Sequence, residues 1–354
     1  TALDSGYTPA TIVIDSPLVY ENVTKKEVEL LGEDALGEGK GLSAEMEEQQ
    51  KAEEEVTWLW KPRNYEDKFY GPTTIRTALT KSRNVVTVKV LQDVGVTRAI
   101  NYARKLGIES PLAKDLSLSL GSSGITLLEL TTAYATFENL GKRPEPIFIT
   151  RITDRDGELL EGNQQRSEQV ITPQIAYLMT SLLEGVVQHG TAWRVRVNLT
   201  GRPAAGKTGT TNNLNDAWFM GYTPELVVGT WIGYDSEKPL GKNETGSKAA
   251  SPIWIKFMKK VLENTPPKKF PMPEGLEFAR IDPETGLLAN ATTPDPVFEV
   301  FVEGTAPIEI SKRRAQHPDT EFFKLDIGDE RVDEEPREFR DTSEEEAIDL
   351  NEPL

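Results

Sequence analysis

The 354-residue chain contains no cysteine and only two histidines, His189 and His317. Without a thiol there is no disulfide, no thiolate nucleophile and no cysteine metal site, and two isolated imidazoles speak against a histidine zinc cage or a histidine-based triad. No run of about 18 apolar residues occurs, which excludes a membrane-spanning helix within the sequence. Thr1 opens on a polar, turn-like run, and no signal peptide is expected there. An excess of positive charge is also lacking. The net charge is -17 and resides in two segments: residues 25–55 carry eleven acids against four bases, and residues 321–354 carry fourteen against four. The remainder balances at 32 acids and 32 bases, so no basic surface for nucleic acid is expected. Both acidic segments lack a sustained apolar stripe and read as solvated surface stretches.

What the chain does hold is concentrated in Gly201–Asp216, GRPAAGKTGTTNNLND. Lys207, Thr208, Gly209 and Thr210 put a cation, two hydroxyls and an unhindered backbone in four consecutive positions. Such a strand edge can grip a carboxylate and an oxyanion together. The same run satisfies the phosphate-loop spacing G-x-x-x-x-G-K-[ST], ending on Gly206, Lys207 and Thr208. A phosphate loop must run into a helix whose N-terminus holds the phosphates. Gly209, Thr210, Thr211, Asn212 and Asn213 are poor helix formers, and the context argues against nucleotide binding.

Taken in order, Thr1 to Tyr20 ends a helix at Gly6 and turns through Pro9 into a short β-like run. After the acidic insert, Trp58 to Tyr65 resumes the fold, its aromatics reading as core. Tyr70-Gly71-Pro72 is expected to open a helix carried by Thr73 to Leu79, with Ile75 and Leu79 four apart. Lys81-Ser82-Arg83-Asn84 then makes a turn before a helix over Val85 to about Val94. Thr97 to Gly107 is a further helix, and Leu116 to Ser123 alternates before a glycine turn. Thr126 to Gly141 is amphipathic, with Leu127, Leu130, Tyr134 and Phe137 on one face. Ile147 to Thr153 and Glu158 to Leu160 form a hairpin across Asp156-Gly157, and Thr172-Pro173 caps a helix to about Gln188. Asp216 to Tyr222 and Leu226 to Gly233 are strands that complete a three-stranded antiparallel sheet with the Lys207 strand. Ser247 to about Leu262 is the last packed helix, and Phe270 to Ile310 is proline-rich with short β-like pieces.

The order of short motifs carries a resemblance. Ser82-x-Asn84, Gly190-Thr191-Ala192, Ala205 to Thr211, Asp216-Ala217-Trp218-Phe219, Gly221-Tyr222-Thr223-Pro224 and Trp231 to Asp235 follow one another as in class A penicillin-binding proteins. Over most of Thr1 to about Leu262 the chain resembles the transpeptidase domain of that bifunctional glycosyltransferase and transpeptidase family. The resemblance implies an α+β fold, an antiparallel sheet packed between helical layers, with a groove between the KTG strand and the Ser82 turn. The resemblance covers a transpeptidase domain at 1–262 with the acidic insert, and composition beyond it reads as a small proline-rich extension at 263–310 and an acidic, mostly disordered tail at 311–354.

The chemistry implied is serine acyl transfer on D-Ala-D-Ala stem peptides, inhibited by β-lactams, with no cofactor and no metal. Carried over position by position, Lys207 supplies positive potential beside the nucleophile and the substrate carboxylate. Thr208 and Thr210 bind that carboxylate, Gly209 lets the backbone approach, and the Thr210 N–H forms half of an oxyanion hole. Ser82 relays a proton to the leaving amine, and Asn84 orients the substrate amide and the catalytic lysine. Peptidoglycan stem peptides, lipid-linked precursors, β-lactams and other cell-wall synthesis proteins are the implied partners, on the extracytoplasmic face of a membrane to which the parent is anchored. One signature is missing: no serine in the 354 residues has a lysine three positions later. The expectation is a truncation, with S-x-x-K lying within about ten residues ahead of Thr1. The alternatives are a non-catalytic penicillin-recognition or scaffold protein of the same fold, and the phosphate-loop nucleotide binder.

Overall fold

Thr1 leads into a 3-10 turn at Leu3–Ser5, closed by Gly6, where the sequence suggests the end of a helix. The computed structural model describes residues 1–23, 58–236 and 238–313, so the acidic insert and the acidic tail lie outside the described residues. Strand β1, Ile12–Asp15, is followed by β2, Tyr20–Val23, which pairs with β3, Trp58–Trp60. Trp60 is buried and stacks on Tyr20 at 5.3 Å, as the core reading expects, whereas Tyr65 is exposed and corrects that reading.

The expected helical start at Gly71-Pro72 is corrected. Gly71–Thr74 is strand β4, antiparallel to β1 with Ile12 opposite Thr74 and Asp15 opposite Gly71. Pairing with β1 uses backbone groups that a first helical turn would leave without partners. The helix waits for Thr74, an extended N-cap whose hydroxyl accepts from the Thr77 N–H at 3.1 Å. Helix α1, Ile75–Lys81, is therefore short. Helix α2, Asn84–Val94, buries Val85, Val88 and Leu91, and α3, Val96–Lys105, follows directly. The alternating run Leu116–Leu120 is a 3-10 turn capped by Asp115.

Helix α4, Leu127–Glu138, starts at a capping box formed by Thr126 and Glu129. Its inner face differs from the expected apolar stripe. Tyr134 and Phe137 pack inward as anticipated, but Leu127 is exposed, and the most deeply buried positions are Thr132, Ala133 and Thr136. Small residues let the helix lie close, with Thr136 satisfying its hydroxyl on the Thr132 carbonyl. Four short strands then form two antiparallel pairs: β5, Lys142–Pro144, with β8, Ser167–Gln169, and the expected hairpin of β6, Arg151–Thr153, with β7, Leu159–Gly162. Helix α5, Pro173–His189, begins at the Thr172-Pro173 cap and α6 spans Trp193–Asn198.

The central sheet is antiparallel in the order β11-β10-β9, built from β9, Ala205–Thr210, β10, Ala217–Thr223, and β11, Leu226–Ile232. Lys207 lies opposite Met220, and Thr208 opposite Phe219. A π-helical turn, Gly246–Ala250, leads into α7, Ser251–Val261. On one face of the sheet Phe219 meets Trp254 of α7 edge-on at 5.1 Å. On the other, Tyr222 packs against Tyr134 of α4 and Leu183 of α5, and its hydroxyl lies 2.9 Å from that of Thr180. The sheet is thus held between helical layers, as the resemblance implied.

Beyond α7, β12, Leu276–Ile281, pairs with β13, Val297–Val302. Residues 311–313, assigned to the tail on composition, pack here: Ser311 is 1% exposed and bonds to Asp282, and Arg313 pairs with Asp282 at 2.6 Å. Glu299 of β13 is also buried and grips Arg76 of α1 through both carboxylate oxygens.

Candidate active site

Helix α1 cannot run on into α2, because Ser82 takes the left-handed conformation, φ 54° and ψ 52°, and accepts the role of C-cap. A left-handed serine is unfavourable by itself, roughly 1 kcal/mol, so neighbours must hold it. The chain reverses over Ser82 and Arg83 and restarts as α2 at Asn84. This turn faces the free edge of β9.

Lys207 spans the gap. Its Nζ donates to Ser82 Oγ at 2.9 Å and to the Thr208 carbonyl at 3.0 Å. Both partners are neutral. The residue is half-buried, and lost hydration of the ammonium lowers its pKa from 10.5 to about 8. At neutral pH the site therefore contains a cation that no carboxylate among the described residues answers.

Along β9 the Thr211 N–H donates across to the Asp216 carbonyl at 3.1 Å. Since N–H groups alternate sides along a strand, those of Thr208 and Thr210 point to the open edge where β9 has no further neighbour in its sheet. Thr208 Oγ1 lies 2.9 Å from Thr191 Oγ1, in the segment joining α5 to α6. Thr210 Oγ1 accepts from the Gly246 N–H at 3.0 Å, which leaves its own proton to donate outward. Gly209 is favoured by crowding: a Cβ there would stand a tight 3.1 Å from that of Trp218. Gly246 is required more strictly, because a Cβ would intrude on the Gly209 and Trp218 carbonyls.

The structure brings Ser82, Lys207, Thr208, Gly209 and Thr210 to one corner. Asn84 is in the same turn, but its Nδ2 donates to the Arg63 carbonyl at 2.9 Å instead of reaching Lys207. Lys207 lies inside a strand and no helix N-terminus follows it, only a 3-10 turn at Asn212–Leu214 with Asn213 at φ 62°. The phosphate-loop reading is thereby excluded. Residues that composition and motif reading did not single out also build the corner. Thr191 was legible only as part of the Gly190-Thr191-Ala192 triplet, and Gly246 carried no signal.

The family model "Penicillin binding protein transpeptidase domain" matches residues 41–259, and "Penicillin-binding protein 1A, C-terminal domain" matches residues 272–315. The chain belongs to the penicillin-binding protein transpeptidase family, in agreement with the class A resemblance. It is 42% identical over 248 residues to penicillin-binding protein 1A of Aquifex aeolicus, covering 70% of this chain and 34% of that protein. To penicillin-binding protein 1A of Pseudomonas aeruginosa it is 31% identical over 362 residues, covering 88% of this chain and 40% of that one. Among solved structures, penicillin-binding protein 1A of Haemophilus influenzae superposes with a TM-score of 0.72 at 26% identity, over 88% of this chain and 47% of that chain. The chain spans well under half the length of the curated relatives it matches, 34% and 40% in these two cases.

Proposed function

We propose that this chain supplies the supporting half of a D,D-transpeptidase site, acting by serine acyl transfer on D-Ala-D-Ala stem peptides and open to acylation by β-lactams. The observation that carries the reading is the Lys207 ammonium held 2.9 Å from Ser82 Oγ beside the open edge of β9. In the reaction an attacking serine gives its proton to the lysine of its own S-x-x-K segment as its Oγ bonds to the penultimate D-alanine carbonyl carbon, and the carbonyl electrons move onto oxygen; that proton is returned through Ser82. The outward Thr210 N–H receives that oxyanion. As the C–N bond breaks, Ser82 passes a proton to the departing D-alanine nitrogen. An amine of a neighbouring stem then attacks the acyl ester, and the serine oxygen leaves with a proton. Thr208 and Thr210 donate to the substrate carboxylate while Lys207 neutralises it. Asn84, one bond from its Arg63 anchor, shapes the amide subsite.

The attacking serine itself is not among these groups, since no serine here has a lysine three positions later. Together with relatives named penicillin-binding protein 1A, the class A resemblance of the motifs supports placing the whole protein among bifunctional enzymes, with a glycosyltransferase half using lipid-linked precursors, an anchor in the cytoplasmic membrane and work on its outer face. No helix among the described residues is long and apolar enough to cross a membrane.

Intact-mass spectrometry with benzylpenicillin tests the reading. The 354-residue chain alone should form no adduct, and a chain supplied with an S-x-x-K segment joined ahead of Thr1 should form one. In that extended chain Lys207→Ala should slow adduct formation by about 100-fold or more. Near-normal labelling of the variant would remove Lys207 from the mechanism. An adduct on the chain as given would place the nucleophile within it, and failure of the extended chain to react would favour a non-catalytic member of the same fold.

A further inference from the structure

Helix α2 starts badly by its own resources. Its N-cap is Arg83, which makes no side-chain capping bond, where Ser, Thr, Asp or Asn would normally stand. The missing acceptor comes from elsewhere. Asn64, 4% exposed, accepts the Val85 N–H on its Oδ1 at 3.3 Å from 21 residues upstream. The preceding residue, Arg63, offers its carbonyl to Asn84 Nδ2 at 2.9 Å. Two consecutive residues thus grip two consecutive residues, and the gripped pair follows directly on Ser82-Arg83.

The other side of Asn64 is equally committed. Its Nδ2 donates to both carboxyl oxygens of Asp15, at 3.0 and 2.9 Å, and to the Lys68 carbonyl at 2.8 Å. Every donor and acceptor of the amide is used, and a flipped amide would set oxygen against oxygen at Asp15 and Lys68. Asp15, 1% exposed, fastens the arrangement to β1. Arg83 adds an outer brace, stacked 3.3 Å over the Tyr70 ring and 3.4 Å from Glu66. The left-handed Ser82 cannot hold itself, and Lys207 reaches it only if the turn stays in place.

We propose that Asn64, anchored by Asp15, is a positioning residue for acyl transfer: it caps α2 from outside and sets the register of the Ser82-x-Asn84 turn against the Lys207 strand. The inference rests on the proposed roles of Ser82 and Lys207. Asn64 touches no reacting atom and acts through the turn.

The test compares Asn64→Ala, Asn64→Asp, Asp15→Asn and the swapped pair Asp15→Asn/Asn64→Asp. In Asn64→Asp two carboxyl groups face each other, whereas the swap restores an amide-to-carboxylate bond and keeps an acceptor for the Val85 N–H, with the Lys68 carbonyl then left facing an oxygen. On the 354-residue chain, amide hydrogen exchange at Val85 and the carbon resonance of the Lys207 side chain during pH titration are followed. Asn64→Ala and Asn64→Asp should speed Val85 exchange by about tenfold or more with Phe219 unchanged, and move the Lys207 titration up toward 10.5; the swap should return both part of the way, ahead of Asn64→Asp. In the chain supplied with S-x-x-K, the acylation rate constant should fall by about tenfold or more in both single Asn64 variants at constant titratable fraction, since a small misplacement suffices. The swap should recover part of that loss, with a rate constant clearly above that of Asn64→Asp. Asp15→Asn keeps one oxygen for Asn64 Nδ2 but loses the charge, so it should shift Val85 exchange and the acylation rate constant in the same direction by a smaller factor; if an Asn64 variant fails to fold, this variant and the swap decide. A fall in titratable fraction with an unchanged rate constant, or a swap no better than Asn64→Asp, overturns the proposal. A Ser82→Ala control that acylates normally would instead overturn the reading of the site itself.

Discussion

Arg76 and Lys207 are both cations drawn into the protein, and the molecule treats them in opposite ways. Arg76 is closed off: both oxygens of the buried Glu299 take its guanidinium, and the Ser181 carbonyl and hydroxyl take the rest at 2.8 and 2.9 Å. Lys207 is left with a hydroxyl and a carbonyl, neither of them charged. The two lie at either end of one short structural unit, Arg76 in the first turn of α1 and Lys207 against the serine that caps it. Compensation at Arg76 fastens β13 to α1. At Lys207 that compensation is withheld, and under the proposed function its charge would be answered by an anionic substrate.

The comparison breaks first, and by the largest amount, at Glu299. Glu299→Ala strands the guanidinium and should cost about 3–5 kcal/mol in denaturant unfolding, whereas Lys207→Ala, which removes an uncompensated buried charge, should leave stability within about 1 kcal/mol. Equal losses in the two variants would show that Lys207 is compensated after all.

Titration sharpens the contrast with an intermediate effect. The Lys207 pKa is lowered in the folded protein to about 8, so between about 8 and 10.5 the unfolded chain binds the extra proton and stability rises with pH; below 8 the burial penalty is present in full. Acylation by penicillin in the S-x-x-K-supplied chain should move the other way, falling up to about tenfold per pH unit above 8 as the cation is lost. Unfolding curves at pH 7 and 9.5 for the parent and Lys207→Met check the first statement, and the pH profile of labelling checks the second. A flat profile through pH 10 would mean that the ammonium is not needed.

The smallest effect is expected at Thr191. Thr191→Val deletes the 2.9 Å partner of Thr208 and should slow acylation by about five- to tenfold, about 1 kcal/mol, with Thr191→Ser near normal. Loss in both variants would point to packing in place of the hydrogen bond.

Much of this corner is legible from local chemistry. The short apolar runs Ala217–Thr223 and Leu226–Ile232, joined at Pro224-Glu225, specify a hairpin, and Thr172-Pro173 specifies a helix start. Residues Gly71–Thr74 misled because proline suits a first helical turn and a strand edge alike. Only β1, some sixty residues earlier in the chain, decides between them. The face of α4 misled for a related reason. Leucine at helical spacing marks what could be buried, while closeness of approach to the sheet determined that threonine and alanine would be.

The class follows from short patterns alone: KTG followed by the strand motifs, S-x-N at its distance upstream, no thiol, and a net charge confined to two segments. These are properties of residue type and order, and they survive without coordinates. Tertiary structure alone decided what each group does with its neighbours. Whether Lys207 would find an acid or a hydroxyl, whether Arg83 would cap its own helix or leave that to Asn64, and whether Ser311 would lie in a tail or beneath Asp282 all depend on contacts between residues far apart in the chain. Hydrogen bonding and desolvation act over a few ångströms in space, and no local pattern encodes which distant residue arrives there.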